Sequence, residues 1–390
     1  MFVRHGQFVP AAARRGSVMP AIAIAFLVCG ALLALVLNQY WLSGAQEELL
    51  TATQAAALAG ARELACDDRL KEDFDARHNA DHVRQVIEDQ SFANQVAGPL
   101  TAKLEVHLAR VTVDPETGQQ ESEESDDDPN AVLVIGHRDR STSNPVALVG
   151  SVFTGRTAAD VTVNVEASVS NVIDGVRPVG AGDVPAWPIA ILEASPDDRI
   201  PSWVNQIEMH QGTDRYRWDA EKHEVVEEPD GLPEMTLTPQ GENVATNVYL
   251  VNIGTGFDTD QLVQQMRDGW STSNLEDLNG EFTFAEGPVD LEADSDFDND
   301  AGDELQRQIG QARIVLLYSK VLPGQDGLPM VQTTRFVAAR LMAVMGEGKN
   351  LQFIVQPAVV ATRTAMLDEE ALQQGDSQGN PYIYKISITQ

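Results

Sequence analysis

Apolar residues are distributed along this chain in two regimes. From Val18 to Leu37, twenty consecutive positions are Val, Met, Pro, Ala, Ile, Phe, Leu, Cys or Gly, without a charge among them. At 1.5 Å rise per residue, a helix of that length spans about 30 Å, the thickness of a bilayer's hydrocarbon core. Past this run the apolar residues become periodic. Positions 46–65 hold seven alanines and, before Gly60, neither Gly nor Pro, so the helix is expected to continue as a stalk. A second helix is predicted over 75–96, with Val83, Val86 and Ile87 on one face and Gly98-Pro99 as its stop.

After Pro99 the period changes to two. Positions 103–113 read as a strand whose parity switches near Arg110, as a bulge would cause, with 131–135 as its partner. The clearest alternation is 160–169, where Val161, Val163, Val165, Ala167 and Val169 interleave with Thr162, Asn164, Glu166 and Ser168, one face buried and one wet. Further strands are predicted at 247–253, 313–320, 333–345, 351–356 and 382–389, with a helix at 259–270. The fold class is therefore α+β: an N-terminal transmembrane helix continuing into a stalk, then a β-rich ectodomain with a few helices. The expected boundaries are 1–17 (basic N-terminus), 18–42 (membrane helix), 43–98 (stalk and second helix) and 99–390 (ectodomain). A division of the last into 99–230 and 231–390 is left open.

Charge orients the span. Arg4, Arg14 and Arg15 precede it with no acidic residue among them, and Tyr40 and Trp41 follow it at the depth of an aromatic belt, so the N-terminus is expected inside. That places the protein in the cytoplasmic (inner) membrane, single-pass, with the bulk in the periplasm or outside. A cleaved secretory signal competes, but the run is long and no small-x-small site closes it before Asn38. Cleavage after Gly16, as in pilin-type leaders, is a third reading. It lacks the Glu that such leaders carry at the fifth position, here Ala21.

Composition removes several functions. With 59 acidic against 27 basic residues the formal charge is −32, which repels nucleic acid. Cys29 lies within the apolar run and Cys66 stands alone beyond it, so no disulfide between soluble segments is expected. Residues 121–128 carry six carboxylates and read as a solvated, mobile loop.

Arg14-Arg15-Gly16, the apolar run and then Gln54-Ala55-Ala56-Ala57-Leu58-Ala59-Gly60-Ala61-Arg62-Glu63-Leu64 together resemble the N-terminal module of TadG-like proteins of tight-adherence (Flp/Tad) pilus systems. Thr53-Gln54 stands where that family often has an Asp. More loosely, the 160–169 strand followed by Ala186-Trp187-Pro188-Ile189-Ala190-Ile191 resembles the TadG-like ectodomain, as do 313–319 and 353–358. The resemblance implies a non-enzymatic component of pilus assembly or anchoring, with the lipid bilayer and other pilus-assembly proteins as partners.

Catalytic signatures are absent: no Gly-x-Ser-x-Gly, no Gly-x-x-x-x-Gly-Lys-Ser/Thr and no Cys-x-x-Cys. No small-molecule substrate is evident. His78 and His82 are four apart on a predicted helix, without the Glu of a zinc protease between them, and read as an exposed pair. Asp294, Asp296, Asp298 and Asp300 alternate as calcium-loop oxygens do, but Asn299 and Leu305 occupy the positions where an EF-hand has Gly and Glu. Calcium binding and a helix-capping acidic loop before 304–311 are the two readings. No other cofactor is expected, and the von Willebrand-type metal motif of some TadG-like proteins is missing. Ala52, Ala55, Ala56, Ala59 and Ala61 offer small side chains for close packing against a neighbouring helix. Two alternatives remain to the pilus function: a calcium-dependent surface adhesin and a membrane-tethered hydrolase.

Overall fold

A computed structural model of the chain describes residues 18–93, 103–114, 120–197, 199–240, 245–324, 327–374 and 379–389. Arg4, Arg14, Arg15, Gly16 and the Gly98-Pro99 stop lie outside the described residues. The apolar run and the alanine-rich segment form one helix, Val18–Leu64, of 47 residues. Such a helix is about 70 Å long. Its two halves differ in what surrounds them. Val18, Met19, Phe26, Leu27, Leu33 and Leu35 are exposed, whereas from Ala45 onward one face, containing Leu49, Ala52, Ala56, Gly60 and Leu64, is buried. Spacings of three and four place those residues on one stripe.

That stripe lies on a six-stranded sheet in the order Val360–Thr362, Ile383–Thr389, Val161–Ser170, Ala131–Arg138, Lys103–Val113, Gln120–Glu124. Every neighbouring pair is antiparallel except the first, which is parallel. The expected alternation holds in Val161–Ser170: Val163, Val165, Ala167 and Val169 are buried, and Thr162 and Asn164 are exposed. The Ala76–Ala93 helix packs beside the long helix and buries Val83 and Ile87 in the same core. Gly136 permits the close approach of helix to sheet, because a Cβ there would collide with the Thr53 hydroxyl and lie 3.1 Å from Leu49 Cδ1.

The second sheet closes on itself. Pro329–Met345, Val289–Asp294, Val248–Val251, Ala186–Leu192 and Ala312–Pro323 pair in turn, and Ala312–Pro323 pairs back onto Pro329–Met345. The 17 residues of Pro329–Met345 make this possible. One edge takes Ala312–Pro323, while the other takes Val289–Asp294 at Met330–Thr333 and Gln352–Pro357 at Ala339–Met345. Closure removes the open edges that a five-strand sheet would otherwise present. The core cluster that this sheet shares with the elements packed on it includes Trp187, Trp203, Trp270 and Phe282, each almost wholly buried. The helices Thr259–Asp268 and Asn299–Arg307 pack on each other at its flank.

The sheets, whose division the sequence left open, do not separate at residue 230, because the C-terminal strands Val360–Thr362 and Ile383–Thr389 return to the first sheet. Mixed helix and strand with one long apolar N-terminal helix is thus as expected, and three details differ. The Lys103–Val113 strand has no register shift at Arg110. Its partner changes at Ala109, and the Asn130 side chain accepts from the Val111 N–H at 2.6 Å and donates to the Val111 carbonyl at 2.9 Å. The alanine-rich segment is a layer of the domain rather than a free stalk. Finally, the 121–128 run is tied down. Gln120–Glu124 is a strand, and Asp126, Asp127 and Asp128 meet Arg84, Arg77 (2.8 Å) and Arg69 (2.6 Å). Cations on the neighbouring helices relieve the self-repulsion that the run would have alone.

Candidate functional site

Three places bear on function: the point where the apolar helix enters the domain, the joint between the sheets, and the acidic loop. At the first, Tyr40 is exposed, and the Trp41 indole N–H donates to the Ala147 carbonyl at 3.0 Å. Asn38, one turn earlier, is only 7% exposed, and its side-chain oxygen accepts from the Val149 N–H at 2.8 Å. The structure therefore brings Trp41 together with a residue the sequence did not single out. A lone Asn ending a twenty-residue apolar run was the available signal.

Three of the five small residues expected to meet a neighbouring molecule meet this one instead. Ala52, Ala56 and Ala61 are buried in the domain's own core, Ala59 is half-buried and Ala55 is exposed. Of the five, Ala55 is the one exposed.

At the joint, Asp67 follows the long helix in the short Asp67–Leu70 turn. Its carboxylate accepts from the Val359 N–H and pairs with the Arg340 guanidinium, each at 2.6 Å. Arg340 also donates to the Gly310 carbonyl at 2.7 Å and lies 5.0 Å over the Trp218 ring. Beside Asp67, burial and the Asp68 charge push the Cys66 thiol up to about 11, so this sulfur is held as an unreactive thiol. His78 and His82 line a nearby open cleft with Asp68, Lys71 and Asn79, and His82 lies 3.4 Å from the Glu63 carboxylate.

The four alternating aspartates run from the end of the Val289–Asp294 strand to the first turn of the Asn299–Arg307 helix. Asp298 caps Asn299–Arg307, accepting from the Ala301 N–H at 2.8 Å, and also accepts from the Thr259 hydroxyl at 2.7 Å. Asp294 accepts from the Asp296 N–H at 2.9 Å. The capped helix carries Glu304, buried, which accepts from Arg267 at 2.9 Å, Arg307 at 3.1 Å and Gln308 at 2.9 Å. Burial works to raise that carboxyl, yet these hydrogen bonds hold it below the usual carboxylate range. Among the described residues, no three His, Cys, Asp or Glu side chains are grouped so as to hold a metal ion.

No protein-family model, curated protein or solved structure matches this chain. The chain itself presents an exposed apolar helix that continues without a break into a packed layer of the domain.

Proposed function

We propose that this is a single-pass membrane protein that presents a rigid, acidic domain outside the cytoplasm as a non-enzymatic component of a tight-adherence pilus, assembling or anchoring the fibre. One observation carries the proposal. The 47-residue helix is both the apolar span and a packed layer of the domain, so the domain has no linker along which to drift from the membrane. A continuous helix transmits position and orientation, which suits a part on which other proteins assemble. The alanine-rich sequence after the span, resembling the TadG-like module, supplies the pilus assignment.

The test uses cells that make the fibres. Deleting the gene should abolish or sharply reduce fibres seen by electron microscopy. The full chain should restore them, and a secreted form lacking 1–42 should not. Normal fibres after deletion, with no second copy of the gene, would remove the pilus assignment.

A further inference from the structure

The hairpin held by Trp41 extends past its point of attachment, back along the long helix toward the apolar end. Val146–Ala147 and Ala158–Ala159 pair antiparallel, and the segment between them carries one helical turn, Ser151–Thr154, at its tip. Its contacts descend the helix in order: Ala147 to Trp41, Val149 to Asn38, Gly150 to Ala34, Phe153 to Gly30. The last two are close. A Cβ added at Gly30 would lie 3.0 Å from the Phe153 ring, and one added at Gly150 would lie 2.9 Å from the Ala34 Cβ. Gly30 and Ala34 belong to the apolar run, seven and three residues before Leu37, or about 10 Å and 5 Å below its end.

The tip's outer side is apolar as well. Val149 is 54% exposed, Val152 92% and Phe153 48%, an arrangement unfavourable in water. Backbone satisfaction points the same way, since lipid leaves no water for an unpaired N–H. The Leu148 N–H donates to Thr157 O at 2.9 Å, Val149 to the Asn38 side chain at 2.8 Å, Phe153 to Gly150 O at 2.9 Å and Gly155 to Ser151 O at 2.8 Å. This also accounts for a buried Asn at the end of an apolar run: it supplies an acceptor where the bilayer has none.

We propose that residues 148–155 are a second membrane contact, an apolar tip that enters the headgroup–acyl boundary of the leaflet facing the domain, alongside the span. The inference rests on the span being in lipid: if Gly30 and Ala34 lie within the bilayer, the residues packed on them do too. The Ser151 and Val152 amides precede the first intrahelical bond, that of Phe153 to the Gly150 carbonyl, as at any helix start, which suits the boundary rather than the bilayer centre. Two contacts with one leaflet fix the rotation and tilt of the helix, and hence the face that the domain turns to its partners.

The experiment uses the full chain with Cys29→Ala and Cys66→Ala, reconstituted in phosphatidylcholine–phosphatidylglycerol vesicles. Single cysteines at Val152, at Leu33 within the span and at Lys222 on the domain carry an environment-sensitive fluorophore. Lipids bearing a spin label near the headgroup end of the acyl chain are the quencher. The Val152 and Leu33 probes should lose fluorescence as quencher lipid is added, and the Lys222 probe should not. Quenching at Leu33 with none at Val152 overturns the tip and leaves the span intact. A Val152 probe shifted to the blue but not quenched means that protein covers the tip, which also overturns the proposal. No quenching at Leu33 overturns the span and the tip with it. Should Val152→Cys fail to fold, Val149→Cys reads the same outcome.

Discussion

Asp67 joins three distant parts of the chain through one carboxylate, and its loss should be felt throughout the domain. Its pair with Arg340 is neither fully exposed nor fully buried, the side chains keeping 26% and 12% of their accessibility. Solvent therefore screens the attraction only in part. Asp67→Ala leaves Arg340 without its carboxylate and the Val359 N–H without an acceptor, so a loss of about 2–4 kcal/mol is expected. Asp67→Asn keeps an acceptor for Val359 and should cost about half as much. Urea unfolding in detergent measures both, and equal stability of Asp67→Ala and the parent would show that the joint contributes nothing. None of this was legible in the sequence, where Asp67 stands beside Asp68 and looks like one more solvated acid. The 121–128 run misled for the same reason: its arginine partners lie some 40 to 60 positions earlier. By contrast, a helix capped from the acidic loop could be read locally, because a cap and its helix are neighbours in sequence, although the helix is Asn299–Arg307 rather than 304–311 and Asp298 is its cap.

Among the elements, those whose signal is periodic were visible and those made by distant pairing were not. Alternation in 160–169 and the long apolar run in 18–37 announced a strand and a helix because each pattern is complete within its segment. Val289–Asp294 alternates too, Val289, Leu291 and Ala293 against three acids, but its acidic half merges with the aspartates that follow, and the strand was missed. The ring closed by Pro329–Met345 depends on two partners on opposite edges, which no local pattern encodes. The alanine-rich helix shows how far composition goes: it announced close packing correctly, but not that the partner would be the chain's own sheet. Ala56 is wholly buried against that sheet and Ala55 is exposed one residue away. Ala56→Leu should therefore destabilise the domain by about 1–3 kcal/mol through overpacking. Ala55→Leu, an equally good helix former on the open side, should stay within about 0.5 kcal/mol of the parent. Thermal unfolding of the two variants side by side decides the matter, and equal midpoints would return the alanines to an intermolecular role.

At the scale of the whole molecule, charge and the apolar run divide the labour of placement. A chain of net charge −32 is repelled by anionic headgroups, so the membrane attachment proposed above would rest on apolar burial rather than on surface electrostatics. In the proposed topology the orienting cations are Arg4, Arg14 and Arg15, all ahead of the apolar run, and the preference of Lys and Arg for the cytoplasmic side puts the domain outside. The chain's end gives a clean reporter of this. Ile383–Thr389 is a strand inside the first sheet, paired with Val161–Ser170, so a reporter fused after Gln390 shares the side of the domain itself. Alkaline phosphatase, active only outside the cytoplasm, should be active in that fusion, and a green fluorescent protein, which does not become fluorescent when the general secretory route exports it, should be dark. Replacing Arg4, Arg14 and Arg15 by Glu should lower the phosphatase signal and raise the fluorescence, because it removes the bias without touching the apolar run. A bright fluorescent fusion of the parent chain would place the domain in the cytoplasm and remove the proposed orientation. Since the domain and the span are one helix, it would also reverse the leaflet that the 148–155 tip enters, leaving the tip's contact with lipid as a separate question.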